Sequence, residues 1–130
     1  MTVSSLLTGL QHIGIPTNNL DRTADFYHAL GFESVLEAVN EAAHERVAFL
    51  KLGNLMIETY ENHCAVGRAG AIDHIALDVN DIESAFSMTK AAGLKLLDTE
   101  IQSLPFWERG VRFFTVEGPN MEKVEFCQKL

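Results

Sequence analysis

Cysteine is nearly absent from this chain. Cys64 and Cys127 are the only two in 130 residues, and neither belongs to a CxxC pair, so no disulfide framework is expected. A reducing cytoplasm suits that usage. Positive charge is also scarce: 10 Lys and Arg stand against 18 Asp and Glu, a net charge of −8. Such a surface repels phosphate backbones, which excludes nucleic acid as the expected partner and leaves only a local basic pocket for a small anion. No apolar run approaches the roughly 18 residues that a membrane span requires. The opening "MTVSSLLTGLQHIG" lacks a basic n-region, and its apolar content is too short for a secretory h-region. No segment is low in complexity.

What remains is the balance of a soluble globular domain, 47% apolar and 22% charged. At this length the chain forms one domain and buries a core unaided. Its most informative feature is an echo. Residues 10–32, "LQHIGIPTNNLDRTADFYHALGF", align without a gap on residues 72–94, "IDHIALDVNDIESAFSMTKAAGL". His12 falls on His74, Asn18 on Asn80, Leu20 on Ile82, Asp21 on Glu83 and Gly31 on Gly93. The period is too long and the copies too few for a solenoid. Two supersecondary units that pack on each other are the natural reading.

Each copy opens with period-two alternation, the mark of a strand. In "IDHIALDV", Ile75, Leu77 and Val79 take one face and His74, Ala76 and Asp78 the other. In "LQHIGI", Ile13 and Ile15 oppose His12 and Gly14. A helix follows. Asn80, with Glu83 three residues on, predicts an N-cap for the second, and Asn18 or Asn19 for the first. The buried stripes are Leu20, Ala24, Tyr27 and Leu30 in one helix, and Ile82, Ala85, Phe86 and Thr89 in the other. Gly31 and Gly93 supply the stops. Three extended runs then follow in each half. They are "FESVLEAV", "RVAFLKL" and "LMIETYE", then "LKLLDTEIQ", "VRFFTVE" and "KVEFCQ", with turns at Gly53-Asn54 and "GPN" (118–120). The expected class is α+β: two βαβββ modules, about 8–66 and about 70–130, joined near "GRAGA" (67–71).

The last strand of each module carries an acid among apolar residues. Met56, Glu58 and Tyr60 share a face opposite Leu55, Ile57 and Thr59; Lys123, Glu125 and Cys127 oppose Val124 and Phe126. If the helices cover the Ile57 and Phe126 side, His12, Glu58, His74 and Glu125 all face the other way, provided the first and last strands of each module are neighbours. A lone strand histidine is usually a satisfied core or surface residue, and a lone glutamate usually meets water. Here the same two types recur at equivalent places, and burying them uncompensated costs several kcal/mol each. A divalent cation removes that penalty. Two imidazoles and two carboxylates suit Zn, Ni, Co, Mn or Fe(II), and two positions of a six-coordinate sphere stay open for water or substrate.

These residues, with "DFYHALGF" and the closing "GPNMEKVEF", resemble the vicinal oxygen chelate superfamily. That group includes glyoxalase I (lactoylglutathione lyase), methylmalonyl-CoA epimerase, extradiol dioxygenases, and fosfomycin- and bleomycin-resistance proteins. The likeness spans essentially the whole chain. It implies a cupped mixed sheet with helices on its outer face, and a metal held by His12, Glu58, His74 and Glu125. It further implies a metal-dependent lyase or isomerase of the glyoxalase I type, which moves a proton beside a metal-bound carbonyl through an enediolate. Glu125 is the first choice for the base and Glu58 the second. An epimerase of the methylmalonyl-CoA kind performs a related step. An Fe(II)-dependent dioxygenase and a non-catalytic drug-binding protein are the readings from other classes.

From Glu58 to Glu125 is 67 residues, against 62 from His12 to His74, so about five extra residues enter the second module. Their expected place is "SLPFWERGVR" (103–112), with the only tryptophan, Trp107, beside Arg109 and Arg112. This loop suits either a lid that clasps an anionic small-molecule carbonyl substrate or an anchor that serves stability alone. His63 and Cys64 take no role. An unpaired strand edge in each module suits a homodimer.

Overall fold

The computed structural model describes residues 3–6 and 8–130. The leader reading of residues 1–14 falls partly on the other three positions, outside the described residues. A short 3-10 turn, Val3–Leu6, precedes β1 (Ile13–Thr17), α1 (Leu20–Ala29), β2 (Glu33–Asn40), β3 (Glu45–Leu52) and β4 (Leu55–Glu61). Then come β5 (His74–Asp78), α2 (Ile82–Ala91), β6 (Lys95–Leu96), β7 (Gln102–Leu104), β8 (Val111–Glu117) and β9 (Lys123–Lys129). The chain divides into two compact units, one ending at Ala65 and the other beginning at Val66. Each is a mixed sheet with one helix, the α+β pattern expected from the repeat. Among the described residues, no helix is long and apolar enough to cross a membrane.

The first unit orders its strands β1-β4-β3-β2. β1 runs parallel to β4, with Gly14 opposite Glu58, and the remaining pairs are antiparallel. Alternation decides which face is buried. Ala48, Leu50, Ile57 and Thr59 are fully covered on the helix side, with Leu20, Ala24 and Tyr27 of α1 and Phe32 just beyond it. Burying each large apolar side chain there contributes about 1.5–3 kcal/mol. Tyr27 meets Phe26 and Phe32 edge-on. Asn19 caps α1 by accepting the Arg22 N–H at 3.0 Å, and Gly31 leaves the helix at φ 98°, a conformation that costs glycine nothing.

The second unit repeats this plan in the order β5-β9-β8-β6, with β7 also on β8. Its core is Leu77, Ile82, Phe114, Val116, Val124 and Phe126. Phe114 stacks on Phe126 with ring centroids 4.8 Å apart, and Phe86 meets it edge-on. Two expectations need correcting. The cap of α2 is Asp81 rather than Asn80: its carboxylate accepts the Ser84 N–H at 3.1 Å and the Ser84 hydroxyl at 2.7 Å. Glu83 closes no capping box and pairs instead with Arg112.

The run "LKLLDTEIQ" is also not one strand. It breaks after Leu96, where the Asp98 carboxylate takes the Thr115 N–H at 2.8 Å, a ladder donor that a backbone carbonyl would otherwise accept. The break and the tip loop share the extra length. The loop 105–110 has six residues, against four at 41–44.

Candidate functional site

In the first unit, parallel pairing of β1 with β4 puts His12 diagonally across from Glu58 on the face away from α1. His12 lies one residue ahead of β1 as observed. Its Nε2 is 3.7 Å from Glu58 Oε1, and both side chains are about one-third exposed (34% and 29%). The Phe49 ring, on the residue opposite Glu58 in β3, meets the imidazole edge-on at 5.7 Å. The Gln11 side-chain oxygen, Oε1, accepts from His12 Nδ1 at 2.9 Å. With Nδ1 holding the proton, Nε2 presents its lone pair on the Glu58 side.

The second unit has the same register. Ala76 stands opposite Glu125 as Gly14 does opposite Glu58, so His74 is again the diagonal neighbour of the acid. Asp73 accepts from His74 Nδ1 at 2.9 Å and from Lys123 Nζ at 3.0 Å. Those two donors, His74 first, hold the Asp73 carboxyl below the usual carboxylate range. Asp73, His74, Asp98, Lys123 and Glu125 line a cavity of about 270 Å³. Burial pushes the Glu125 carboxyl up, nearby Asp98 adds to the rise, and His74 opposes it.

Among the described residues, no group of three or more His, Cys, Asp and Glu side chains is arranged as a metal cluster. In each unit the first and last strands set one imidazole diagonal to one carboxylate. The pairs fit a divalent ion in their donor chemistry, and also in how the rings are held. A ligating imidazole characteristically donates its other N–H to an oxygen acceptor, which fixes tautomer and orientation. Gln11 and Asp73 supply such acceptors at equivalent positions. The 62-residue repeat placed them one residue ahead of each histidine, and that was the signal available. Asp98 had no such signal, because it acts from an irregular break with no counterpart in the first unit.

Within the second unit, the other sequence candidates lie away from Glu125. Val111 pairs with Lys129 and Thr115 with Glu125. The 105–110 loop, with Trp107 and Arg109, therefore sits four residues of β8 away from Glu125's neighbour, roughly 13 Å along the strand. Arg112 shares the helix-side parity of Phe114 and Val116, and its guanidinium is 3.1 Å from Glu83 at the start of α2. It is engaged there, on the face opposite Glu125. Both cysteines are free thiols, Cys64 exposed and Cys127 partly covered.

Residues 9–126 match the Glyoxalase/Bleomycin resistance protein/Dioxygenase superfamily. The chain is 28% identical over 125 residues to the uncharacterized protein YwbC of Bacillus subtilis, covering 92% of this chain and 97% of that one. It is 31% identical over 99 residues to the mitochondrial methylmalonyl-CoA epimerase of Dictyostelium discoideum, covering 68% of this chain and 60% of the epimerase. In structure it is similar to a glyoxalase family protein from Enterococcus faecalis. That likeness has a TM-score of 0.78 at 21% identity, over 94% of this chain and 98% of that one.

Proposed function

The chain belongs to the glyoxalase/bleomycin resistance protein/dioxygenase superfamily, and from that premise we propose a divalent-metal-dependent lyase or isomerase of the glyoxalase I type. Its reaction moves a proton on carbon beside a carbonyl. The observation that carries this reading is the duplicated pair: His12 beside Glu58, and His74 diagonal to Glu125, in one register. His12, Glu58, His74 and Glu125 are the proposed ligands, within one chain or across a homodimer. β2 supports the homodimer, because it is a sheet edge exposed at all eight residues. Two free thiols suit a reducing compartment.

When bound, a Zn, Ni, Co, Mn or Fe(II) ion supplies Lewis-acid polarisation of the substrate carbonyl. The chain's own residues do the rest. Glu125 Oε accepts the proton from the carbon beside the carbonyl, and its partial burial favours a carboxylate of raised proton affinity. Returning that proton to the adjacent carbon gives a lyase or isomerase of the glyoxalase kind. Returning one to the opposite face of the same carbon gives an epimerase, the reading favoured by the 31% identity to methylmalonyl-CoA epimerase. Glu58 is the second candidate base.

The experiment is metal analysis, followed by exchange of the substrate's α-hydrogen with deuterated water. The hemithioacetal of methylglyoxal and glutathione is compared with methylmalonyl-CoA. The reading expects bound divalent metal, exchange on one substrate, and loss of that exchange in Glu125→Gln with metal retained. A metal-loaded protein that exchanges neither substrate, or full turnover in both Glu125→Gln and Glu58→Gln, overturns it.

A further inference from the structure

The turn between β7 and β8 carries more apparatus than a connector needs. Ser103, Leu104, Trp107, Arg109 and Val111 contribute to a cavity of about 480 Å³, within the range of small-molecule sites. The turn is fastened at its base: Leu104 pairs with Val111 across the ladder, and the Gly110 carbonyl accepts the Leu130 N–H at 3.0 Å. Gly110 sits at φ 88°, where a Cβ would lie 3.1 Å from the Leu104 carbonyl oxygen, so no other residue fits without displacement.

Trp107 is held in the left-handed region at φ 63°, which a bulky side chain occupies only when its surroundings fix it there. Lys129 Nζ stands 4.1 Å from the centroid of its ring. The indole is thus anchored by a cation while 71% of the residue stays exposed. Arg109 is exposed and, among the described residues, makes no ion pair, whereas Arg46 and Arg112 do. Among the lining side chains Arg109 is the one cation and Glu108 the one acid, with the Lys129 ammonium beside the indole.

We propose that this turn is a binding site for a small aromatic carboxylate, distinct from the His74–Glu125 pair of the same unit. The planar fork of Arg109 matches a carboxylate. The open indole of Trp107 matches a flat ring, with Lys129 keeping it in place. The net charge of −8 selects against extended polyanions, so the ligand is small and carries little negative charge. The proposal does not rest on the metal reading.

Trp107 is the only tryptophan, so fluorescence of the full chain, excited selectively at the indole and not at the two tyrosines, reports on this turn. Titration with benzoate is expected to give a saturable change, equal with and without a chelator. Neutral benzamide and non-aromatic acetate should each bind at least about tenfold more weakly. Arg109→Gln should weaken benzoate by about tenfold or more, the loss of a charge-assisted pair, with an unchanged circular dichroism spectrum. Lys129→Met, which frees the ring, should weaken it less. No saturable change with benzoate overturns the proposal, as does an unaltered titration in Arg109→Gln. A change abolished by chelator would assign the response to the metal centre instead and overturn it as well.

Discussion

The Glu61 carboxylate, at the end of β4, accepts the backbone N–H of Leu20, the first residue of α1, at 2.7 Å. Sixty-seven residues on (61 to 128), Gln128 Oε1 accepts the N–H of Ile82, the first residue of α2, at 2.9 Å. A helix start leaves four N–H groups without intrahelical partners. In both units the last strand supplies one acceptor and the cap residue another, so helix and sheet are tied at one corner. Glu61→Ala is expected to cost about 1–2 kcal/mol by leaving a part-buried donor unsatisfied. Glu61→Gln keeps an acceptor and should lose only about 0.3–1 kcal/mol of charge–dipole attraction. Urea unfolding of the two variants measures both.

The two residues ahead of α2 separate a cap from its neighbour. Asp81→Ala removes the acceptor for the Ser84 N–H and hydroxyl and should lower the urea midpoint. Asn80→Ala should leave it nearly unchanged, because only the Asn80 backbone carbonyl is used, by the Gln128 side-chain amide. Bonds from Ser84 hold the Asp81 carboxyl below its ordinary value. Its stabilisation is therefore present above the unfolded carboxylate range and lost as pH falls through the depressed folded value. Asp81→Ala should erase that part of the acid sensitivity; an equal loss in Asn80→Ala would overturn the assignment.

Glu125 has the opposite sign. Burial raises its carboxyl in the folded state, so between the unfolded and folded values the native protein binds more protons than the unfolded chain. Stability from this group is fully present at low pH and declines as pH rises through that window. With chelator present, Glu125→Gln should be more stable than the parent at neutral pH. The gain should vanish below about pH 4, where the unfolded carboxyl is also protonated. Thermal melts across pH test this, and a destabilised variant at neutral pH would contradict it.

Much of the fold was legible because the residues speak with a short period. Alternation around Ile57 and Phe126 identified the helix-side faces, and the gapless echo from His12 to His74 identified two like units. The parallel pairing of first and last strands, on which the His–Glu diagonal depends, was a condition the sequence left open, and the structure supplies it. What escaped depended on side chains replacing backbone. Asp98 interrupts a strand by taking the Thr115 N–H, and nothing in "LKLLDTEIQ" distinguishes that aspartate from a solvated one. Asp81 displaced Asn80 as cap because both are good caps and the choice rests on one residue of register. Arg112 read as part of an exposed loop, yet it lies on β8 with its parity toward α2 and reaches Glu83.

The residues ahead of the two histidines give the sharpest test of the proposed metal centre. Asp73 is a carboxylate that accepts from His74 Nδ1 while Lys123 holds it in place; Gln11 is a neutral amide doing the same for His12. A carboxylate raises the basicity of its imidazole more than an amide does, and removing such an outer partner typically costs 10–100-fold in metal affinity. Asp73→Ala should therefore weaken binding by roughly that factor, and Gln11→Ala by less. Asp73→Asn, which keeps an acceptor oxygen but drops the charge, should fall between Asp73→Ala and the parent. Competition titrations with a chromophoric chelator give the order directly. If Asp73→Ala and Gln11→Ala both bind metal as the parent does, the imidazoles are not ligands held by these acceptors, and the metal reading loses its structural support.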